Sequence, residues 1–192
     1  MKMFNRSGLT LLAVCIAISM IQMPAAVCGT LDGIPMPETA TVGEKALKLN
    51  GMGTRKATFL KVKVYVMGLY LEEKSQDGPA IAASSQAKKI VMHFVRKVAE
   101  SDLQDAWQEG FEKNTTDFEA IKTQAHQFHE MQASMEPGEQ IVLEFLDEGV
   151  TVTVKGEVKG TITGRAFQEA LLLIWLGPEP PNEDLKQGIL GT

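Results

Sequence analysis

The sequence predicts an α+β domain in which helices cover one face of a curved antiparallel sheet. Segments rich in β-branched residues with a period of two indicate half-buried strands, and apolar residues at helical spacing occur in separate segments. Strands that follow one another, with the helices grouped apart, favour this class over alternating strand and helix units. The 192 residues show no break in composition, so we expect a single domain with a sizeable core.

Each element follows from a local pattern. Ser101 and Gln104 have the spacing of a capping box at the start of the middle helix, which Pro137 interrupts. Thr163 is expected to cap a last helix that Gly177 ends, with a proline cluster behind it. The segment 30–41 is polar and contains prolines, and we expect it to be a lead-in to the first β segment. The predicted strands are 59–71, 88–96, 141–146, 150–154 and 157–162.

The first 28 residues have the pattern of a secretory signal peptide. Lys2 and Arg6 precede an uncharged, largely apolar run at 8–23, and small residues follow it. A retained membrane anchor is the alternative, but the run is short for a bilayer span. We therefore expect a cleaved signal peptide at 1–28.

Cleavage would leave a domain at 29–192 that is periplasmic or secreted and not stably inserted in a membrane. Lipidation at Cys28 is a second alternative, which the preceding Val27 disfavours. Loss of residues 1–28 removes both cysteines, so no disulfide is expected. It also lowers the net charge from −5 to −7, which gives no support to nucleic-acid binding.

One arginine stands on a predicted glycine-rich turn directly before a long predicted strand. If the chain is extended throughout, Tyr65 projects from the sheet face opposite Val62 and Val64, and Arg55 shares the side of Tyr65. An arginine and a tyrosine on one face of a sheet can bind an anion. The alternative is a solvated arginine beside an ordinary strand tyrosine.

The middle helix has an apolar stripe with one polar member. Leu103, Trp107, Phe111, Asn114 and Phe118 recur at helical spacing. A polar group within such a stripe needs a partner. Either Asn114 faces a ligand, or it lies at the helix end and bonds to backbone or water.

Several separated motifs occur in the order found in the chalcone isomerase superfamily, which this chain resembles. They are the Gly-x-Gly-x-Arg motif ending at Arg55, the strand end Gly68-Leu-Tyr-Leu71, and the helix that ends at Gly177 with Asp184-Leu-Lys behind it. The resemblance covers most of the chain after residue 45. It implies an open-faced β-sandwich with a ligand cleft between the sheet and the helices.

The resemblance also indicates which active-site residues of the family's enzymes this chain retains. Arg55 matches the arginine that stabilises the oxyanion, and Asn114 matches a cleft asparagine. Tyr65 and Trp107 stand where the enzymes have a threonine and a tyrosine, and Ile174 replaces a hydroxyl residue. Trp107 cannot accept a hydrogen bond and Ile174 can neither donate nor accept one. Because losing one preorganised donor commonly costs about a hundredfold in rate, we expect no efficient catalyst.

The Arg55 and Tyr65 pair is similar to that of the non-enzymatic, fatty-acid-binding branch of the superfamily. We therefore expect a cleft that binds a fatty acid or a similar small apolar carboxylate and is lined by the residues just compared, without a cofactor. The alternatives are an isomerase or lyase that acts on an enone with Arg55 as oxyanion stabiliser, and an envelope protein-interaction module. His126 and His129 are expected on a solvated face, and no metal site is predicted.

Overall fold

The computed structural model describes residues 27–57 and 60–192. The expected signal peptide lies outside these residues except for its last two positions, which begin the first strand. None of the helices in the described ranges has the length and apolarity to cross a bilayer. The strands are β1 Val27–Leu31, β2 Ile34–Pro37, β3 Thr39–Val42, β4 Lys45–Ala57, β5 Val62–Leu71, β6 Lys88–Phe94, β7 Gln140–Leu146, β8 Gly149–Val154 and β9 Glu157–Ile162. The helices are α1 Gly78–Ala83, α2 Glu100–Asn114, a 3-10 turn Glu119–Ile121, α3 Lys122–Glu130, α4 Arg165–Leu176 and α5 Glu183–Leu190.

The predicted fold class is confirmed. Strands β3 to β9 form one curved sheet in which each strand is antiparallel to the next in sequence order, while β1 and β2 form a separate hairpin. The helices supply the larger core together with one face of the sheet. This arrangement leaves the cleft side of β4 and β5 facing α2 and α4.

The sheet is buried on both faces around β5. Met67 and Leu69 belong to the main core under the helices, whereas Val66 and Tyr70 belong to a smaller cluster with Met36 of β2. The segment 30–41, which we expected to be a lead-in to the first β segment, itself contains strand residues. Prolines and polar residues obscure the short alternation of apolar residues in this segment. Met36 of β2 is nevertheless buried, with 3% exposure.

The glycine-rich segment before Arg55 is part of strand β4 and not a turn. A Cβ atom at Gly51 would lie 2.2 Å from the carbonyl oxygen of Gly188, and one at Gly53 would lie 2.4 Å from that of Leu185. The glycines are needed because helix α5 packs with its backbone directly against β4. The same strand then continues to Arg55, so α5 supports the strand end that carries the arginine.

The predicted cap of the middle helix was wrong. Helix α2 begins after Ala99, and no side chain caps it in the expected way. Its first backbone N–H donates instead to the Ser134 hydroxyl at 3.1 Å. Gln104 donates to the carbonyl oxygen of His129. The start of α2 is thus held by residues that are distant in sequence, which a local motif cannot indicate.

Other helix ends differ from the predictions in detail. Gly164, with φ 116°, precedes α4 in place of the expected cap Thr163, while Gly177 ends α4 as predicted. The further helix α5 follows the proline cluster. Phe118 lies beyond the end of α2, yet its ring packs 6.4 Å from that of Phe111.

A lysine side chain is buried where β6 begins. Lys88 is 2% exposed, and its Nζ donates to the carbonyl oxygens of Ser84 at 2.7 Å and Gln86 at 3.0 Å. Burial, together with the charge of Arg165, lowers the pKa of Lys88 to about 8. The ammonium group thus satisfies two backbone carbonyl oxygens that follow α1. Burial of its charge costs free energy of folding.

Because of this cost, we expect the free energy of unfolding to rise with pH in the alkaline range. Glu72 and Asp147 offset only part of the depression of the Lys88 pKa. Between pH 8 and the ordinary lysine value the unfolded chain binds more protons than the folded one, so the free energy of unfolding increases with pH. We expect a gain of about 2 kcal/mol from pH 8 to pH 10 in urea unfolding. Lys88→Met should flatten this profile, and an equally steep profile in that variant would contradict the assignment.

Candidate functional site

A cleft of about 390 Å³ lies between the ends of β4 and β5, helices α2 and α4, and the segment 179–181. Its volume falls in the range of small-molecule sites. The residues that line it are Arg55, Ala57, Val64, Tyr65, Arg96, Lys97, Val98, Asp102, Leu103, Ala106, Trp107, Glu109, Gly110, Lys113, Ile174, Trp175, Glu179, Pro180 and Pro181.

Strands β4 and β5 place Arg55 directly opposite Tyr65, and both line the cleft. A β-bulge at Val64 interrupts the register, since Arg55 pairs with Tyr65 but Lys56 pairs with Lys63. The expectation that Val64 faces away from Tyr65 was therefore wrong, because both side chains line the cleft. The bulge is a pairing property that strand alternation alone does not reveal.

Arg55 is half-buried at the cleft wall. Its Nη1 donates to the carbonyl oxygen of Lys56, and within the described ranges no carboxylate lies within 4.0 Å of its guanidinium. A guanidinium has five N–H donors. Arg55 therefore has donors available for an acceptor bound in the cleft.

The hydroxyl of Tyr65 has a defined hydrogen-bonding role. The indole Nε1 of Trp175, which is fully buried, donates to the Tyr65 oxygen at 3.0 Å. Because an indole N–H can only donate, the phenol oxygen is the acceptor and its own proton remains for another partner. Burial raises the pKa of Tyr65, and the Trp175 bond and the charge of Arg55 lower it in part. Tyr65 is thus a neutral donor at physiological pH.

The sequence does not indicate the role of Trp175. The hydrogen bond to Tyr65 joins residues 110 positions apart. No local spacing indicates such a contact. Trp175 therefore helps to fix the position of the Tyr65 hydroxyl.

Trp107 forms part of the apolar wall. It is 4% exposed, and its ring packs edge-on against Trp175 at 5.4 Å and Phe128 at 5.3 Å. Its Nε1 is buried and has no hydrogen-bond partner in the part of the chain that the structure describes. The cleft lining therefore includes a residue whose buried N–H donor has no acceptor among the described residues.

Ile174 lines the cleft from α4 and is 1% exposed. A Cβ atom at Gly110 of α2 would lie 2.7 Å from its Cγ2. The glycine thus lets the two helices approach closely beside the cleft. Leu103 and Val98 extend the apolar wall on either side.

Asn114 does not line the cleft. Its Nδ2 donates to the carbonyl oxygens of Gly110 at 3.1 Å and Glu179 at 3.0 Å, and its Oδ1 accepts from the Glu179 N–H at 3.0 Å. This matches the alternative in which Asn114 bonds to backbone near the helix end. Because Glu179 begins the wall segment 179–181, Asn114 contributes to the cleft by holding that wall. The structure therefore groups Arg55, Tyr65, Trp107 and Ile174 at the cleft and places Asn114 behind them.

The lining of the cleft carries charges of both signs. Arg96 and Lys97 are exposed on one side, and Glu109 and Lys113 form an ion pair on α2. The hydrogen bond from Lys113 lowers the pKa of Glu109, and the charge of Arg55 adds to this effect. The lining thus combines cationic and acidic side chains with apolar ones.

The two histidines of the predicted solvated face lie on α3. His126 is 3.7 Å from Glu130, and both side chains are exposed. His129 is half-buried, and burial lowers its pKa, so the expectation of a solvated face was wrong for this residue. Among residues 27–57 and 60–192, no three His, Cys, Asp or Glu side chains are arranged to hold a metal ion.

Comparisons with known proteins agree with this architecture. A family model described as chalcone isomerase-like matches residues 28–191. A solved structure of a fatty-acid binding protein from Arabidopsis thaliana is similar in fold, with a TM-score of 0.66 and 15% sequence identity over 82% of this chain and 92% of that chain. No curated protein matches the chain in sequence.

Proposed function

Because the chain belongs to the chalcone isomerase-like family, we propose that it is an exported, non-catalytic member that binds a fatty acid or a similar small apolar carboxylate in the cleft. The observation that carries the proposal is the pairing of Arg55 with Tyr65 across β4 and β5 at a cleft that is partly lined by apolar side chains. The similar fold of the fatty-acid binding protein from Arabidopsis thaliana supports it.

The two side chains suit a carboxylate. Arg55 offers charged N–H donors to one or both oxygens, and Tyr65 offers its phenol proton because Trp175 already occupies its acceptor side. Both bonds strengthen when the ligand excludes water from the cleft. The apolar tail of the acid would then contact Trp107 and Ile174.

Mass spectrometry of the purified protein tests the proposal directly. Denaturing extraction of protein isolated from its host should release a monocarboxylic acid, and added decanoate should bind with one site in calorimetric titration. Tag-only preparations processed in parallel identify lipid carried over from the host. Neither released acid nor decanoate binding would contradict the proposal and favour the interaction module.

An isomerase or lyase is the second candidate. The buried Trp107 Nε1 without a partner favours it, since that donor and Arg55 could both hold the oxygen of an enone. Against it, Ile174 supplies no hydroxyl group. We expect chalcone cyclisation in the presence of the protein to proceed no faster than in buffer of the same pH. A saturable acceleration that Arg55→Ala abolishes would establish the enzyme instead.

Export is a separate part of the proposal. Lys2, Arg6 and the apolar run at 8–23 support it. N-terminal sequencing of protein recovered from a bacterial periplasm should find a start between Val27 and Thr30. An intact Met1, or an acylated Cys28, would contradict it.

A further inference from the structure

The N-terminal hairpin is bonded to the two strands that carry Arg55 and Tyr65. Asp32 lies in the turn between β1 and β2, with a φ of 52°. Its carboxylate accepts from the Thr54 hydroxyl of β4 at 2.6 Å and from the Lys63 ammonium of β5. The bond from Lys63, followed by that from Thr54, lowers the pKa of Asp32, so the carboxylate is ionised at neutral pH. Asp32 thus joins β4 to β5 through side chains.

The two contacts of this carboxylate lie on either side of the β-bulge. On one side of the bulge Thr54 pairs with Val66. On the other side Lys63 pairs with Lys56. Val64 is the extra residue of β5 between them. The same carboxylate therefore holds β4 before the bulge and β5 after it.

The bulge decides which side chains of β5 face the cleft. Val64 and Tyr65 are consecutive and both line the cleft, whereas Lys63 lies outside that lining and bonds to the hairpin turn. In a strand without a bulge the side chains alternate, so Lys63 would share the face of Tyr65 and Val64 would leave it. The bulged register therefore gives the cleft an apolar side chain beside Tyr65 and keeps a lysine out of it.

We propose that Asp32 is a positioning residue that selects the bulged register and so assigns Val64, and not Lys63, to the ligand cleft. Without the ionised carboxylate, β5 loses the ion pair that holds Lys63 on the hairpin side. The inference rests on the proposed function only where it treats Val64 as part of a ligand-binding wall. The register itself is a property of the ligand-free protein.

Cross-strand nuclear Overhauser effects in the ligand-free protein test the register. In wild type the backbone protons of Lys56 should show contacts with those of Lys63, its partner in the bulged register. In Asp32→Asn, contacts between Lys56 and Val64 should appear instead. Asparagine suits the positive φ of the turn but forms no ion pair with Lys63, so the variant removes the contact and keeps the hairpin.

Glu144→Gln is the matched control. Glu144 bonds to Lys89 across β6 and β7 at 2.7 Å, and its side chain is 29% exposed against 23% for Asp32. The variant also removes one negative charge from an ion pair that joins two strands, away from the bulge. Its contacts between Lys56 and Lys63 should be those of wild type. An unchanged register in Asp32→Asn, or an equal change in Glu144→Gln, would overturn the role of Asp32.

Calorimetric titration with decanoate tests the consequence for the cleft. Val64→Ala should weaken decanoate binding about fourfold in the wild-type background, the effect of about one buried methylene. The same substitution should have a clearly smaller effect in the Asp32→Asn background, because Val64 no longer lines the cleft there. A loss of equal size in both backgrounds would show that Val64 keeps its place, and would overturn the proposal.

The outcomes separate the role of Asp32 from the proposed function. If decanoate binds to none of the proteins, the proposed function fails, and the register measurement still decides the role of Asp32. If decanoate binds and the register of Asp32→Asn stays bulged, only the role of Asp32 fails. If Asp32→Asn does not fold, Lys63→Gln removes the same ion pair from β5 and replaces it in both measurements.

Discussion

Arg55→Ala is expected to weaken the binding of decanoate by about ten- to a hundredfold while leaving the thermal stability of the ligand-free protein almost unchanged. The substitution removes a charge-assisted bond to the carboxylate. It removes little support from the fold, because the only described hydrogen bond of the guanidinium is to the adjacent Lys56 carbonyl. Calorimetric titration and thermal unfolding measure the two effects separately.

Tyr65→Phe should lose less affinity for decanoate than Arg55→Ala but more stability. Its affinity loss should be smaller than that of Arg55→Ala, because a neutral hydrogen bond is lost. Its stability should fall by about 1–3 kcal/mol, since the buried Nε1 of Trp175 loses its acceptor. The ring itself can keep its contact with Phe94, whose centroid lies 5.4 Å away.

Arg165→Ala is the control for the loss of one positive charge. Arg165 bonds to the carbonyl oxygen of Ala83 and does not line the cleft, so decanoate affinity should not change. Equal affinities in wild type, Arg55→Ala and Tyr65→Phe would contradict the site. The arginine would then be a structural feature of the family fold, and the interaction module would be favoured.

Parity along an extended chain correctly placed Arg55 and Tyr65 on one side of the sheet, where they pair directly. It failed for Val64, since a bulge depends on how two strands pair. It also missed the Trp175 bond and the docking of α5 on β4, which join residues more than a hundred positions apart. Local patterns thus predict which residues are extended or helical, and long-range contacts decide what they do.

Asn114 also shows that a local sequence pattern does not determine long-range contacts. Its place in an apolar stripe correctly indicated a polar group that needs partners. The partners are the carbonyl oxygen of Gly110 and the backbone groups of Glu179, which lies in the predicted proline cluster. Whether such a residue contacts a ligand or holds the wall of its site depends on a fold that brings the two segments together.

The docking of α5 leads to the largest stability effect that we predict. A Cβ atom at Gly53 would lie 2.4 Å from the carbonyl oxygen of Leu185 and 3.0 Å from its Cα, so the clash is with backbone and no side-chain rotation relieves it. Gly53→Ala should therefore lower the free energy of unfolding by about 3 kcal/mol in urea titration.

Gly68→Ala is the matched control for loss of a strand glycine. A Cβ atom there would meet only side-chain atoms, the nearest being the flexible Met36 Sδ at 3.2 Å, so the loss should be much smaller.

Displacement of α5 in Gly53→Ala would also release Asn182, which donates to the Thr54 carbonyl and accepts from the Lys56 N–H on either side of Arg55. Decanoate affinity should then fall in Gly53→Ala and be kept in Gly68→Ala. Equal stabilities of the two variants would show that α5 is not held by the glycine contact, and unchanged affinity in an unstable Gly53→Ala would show that α5 does not position Arg55.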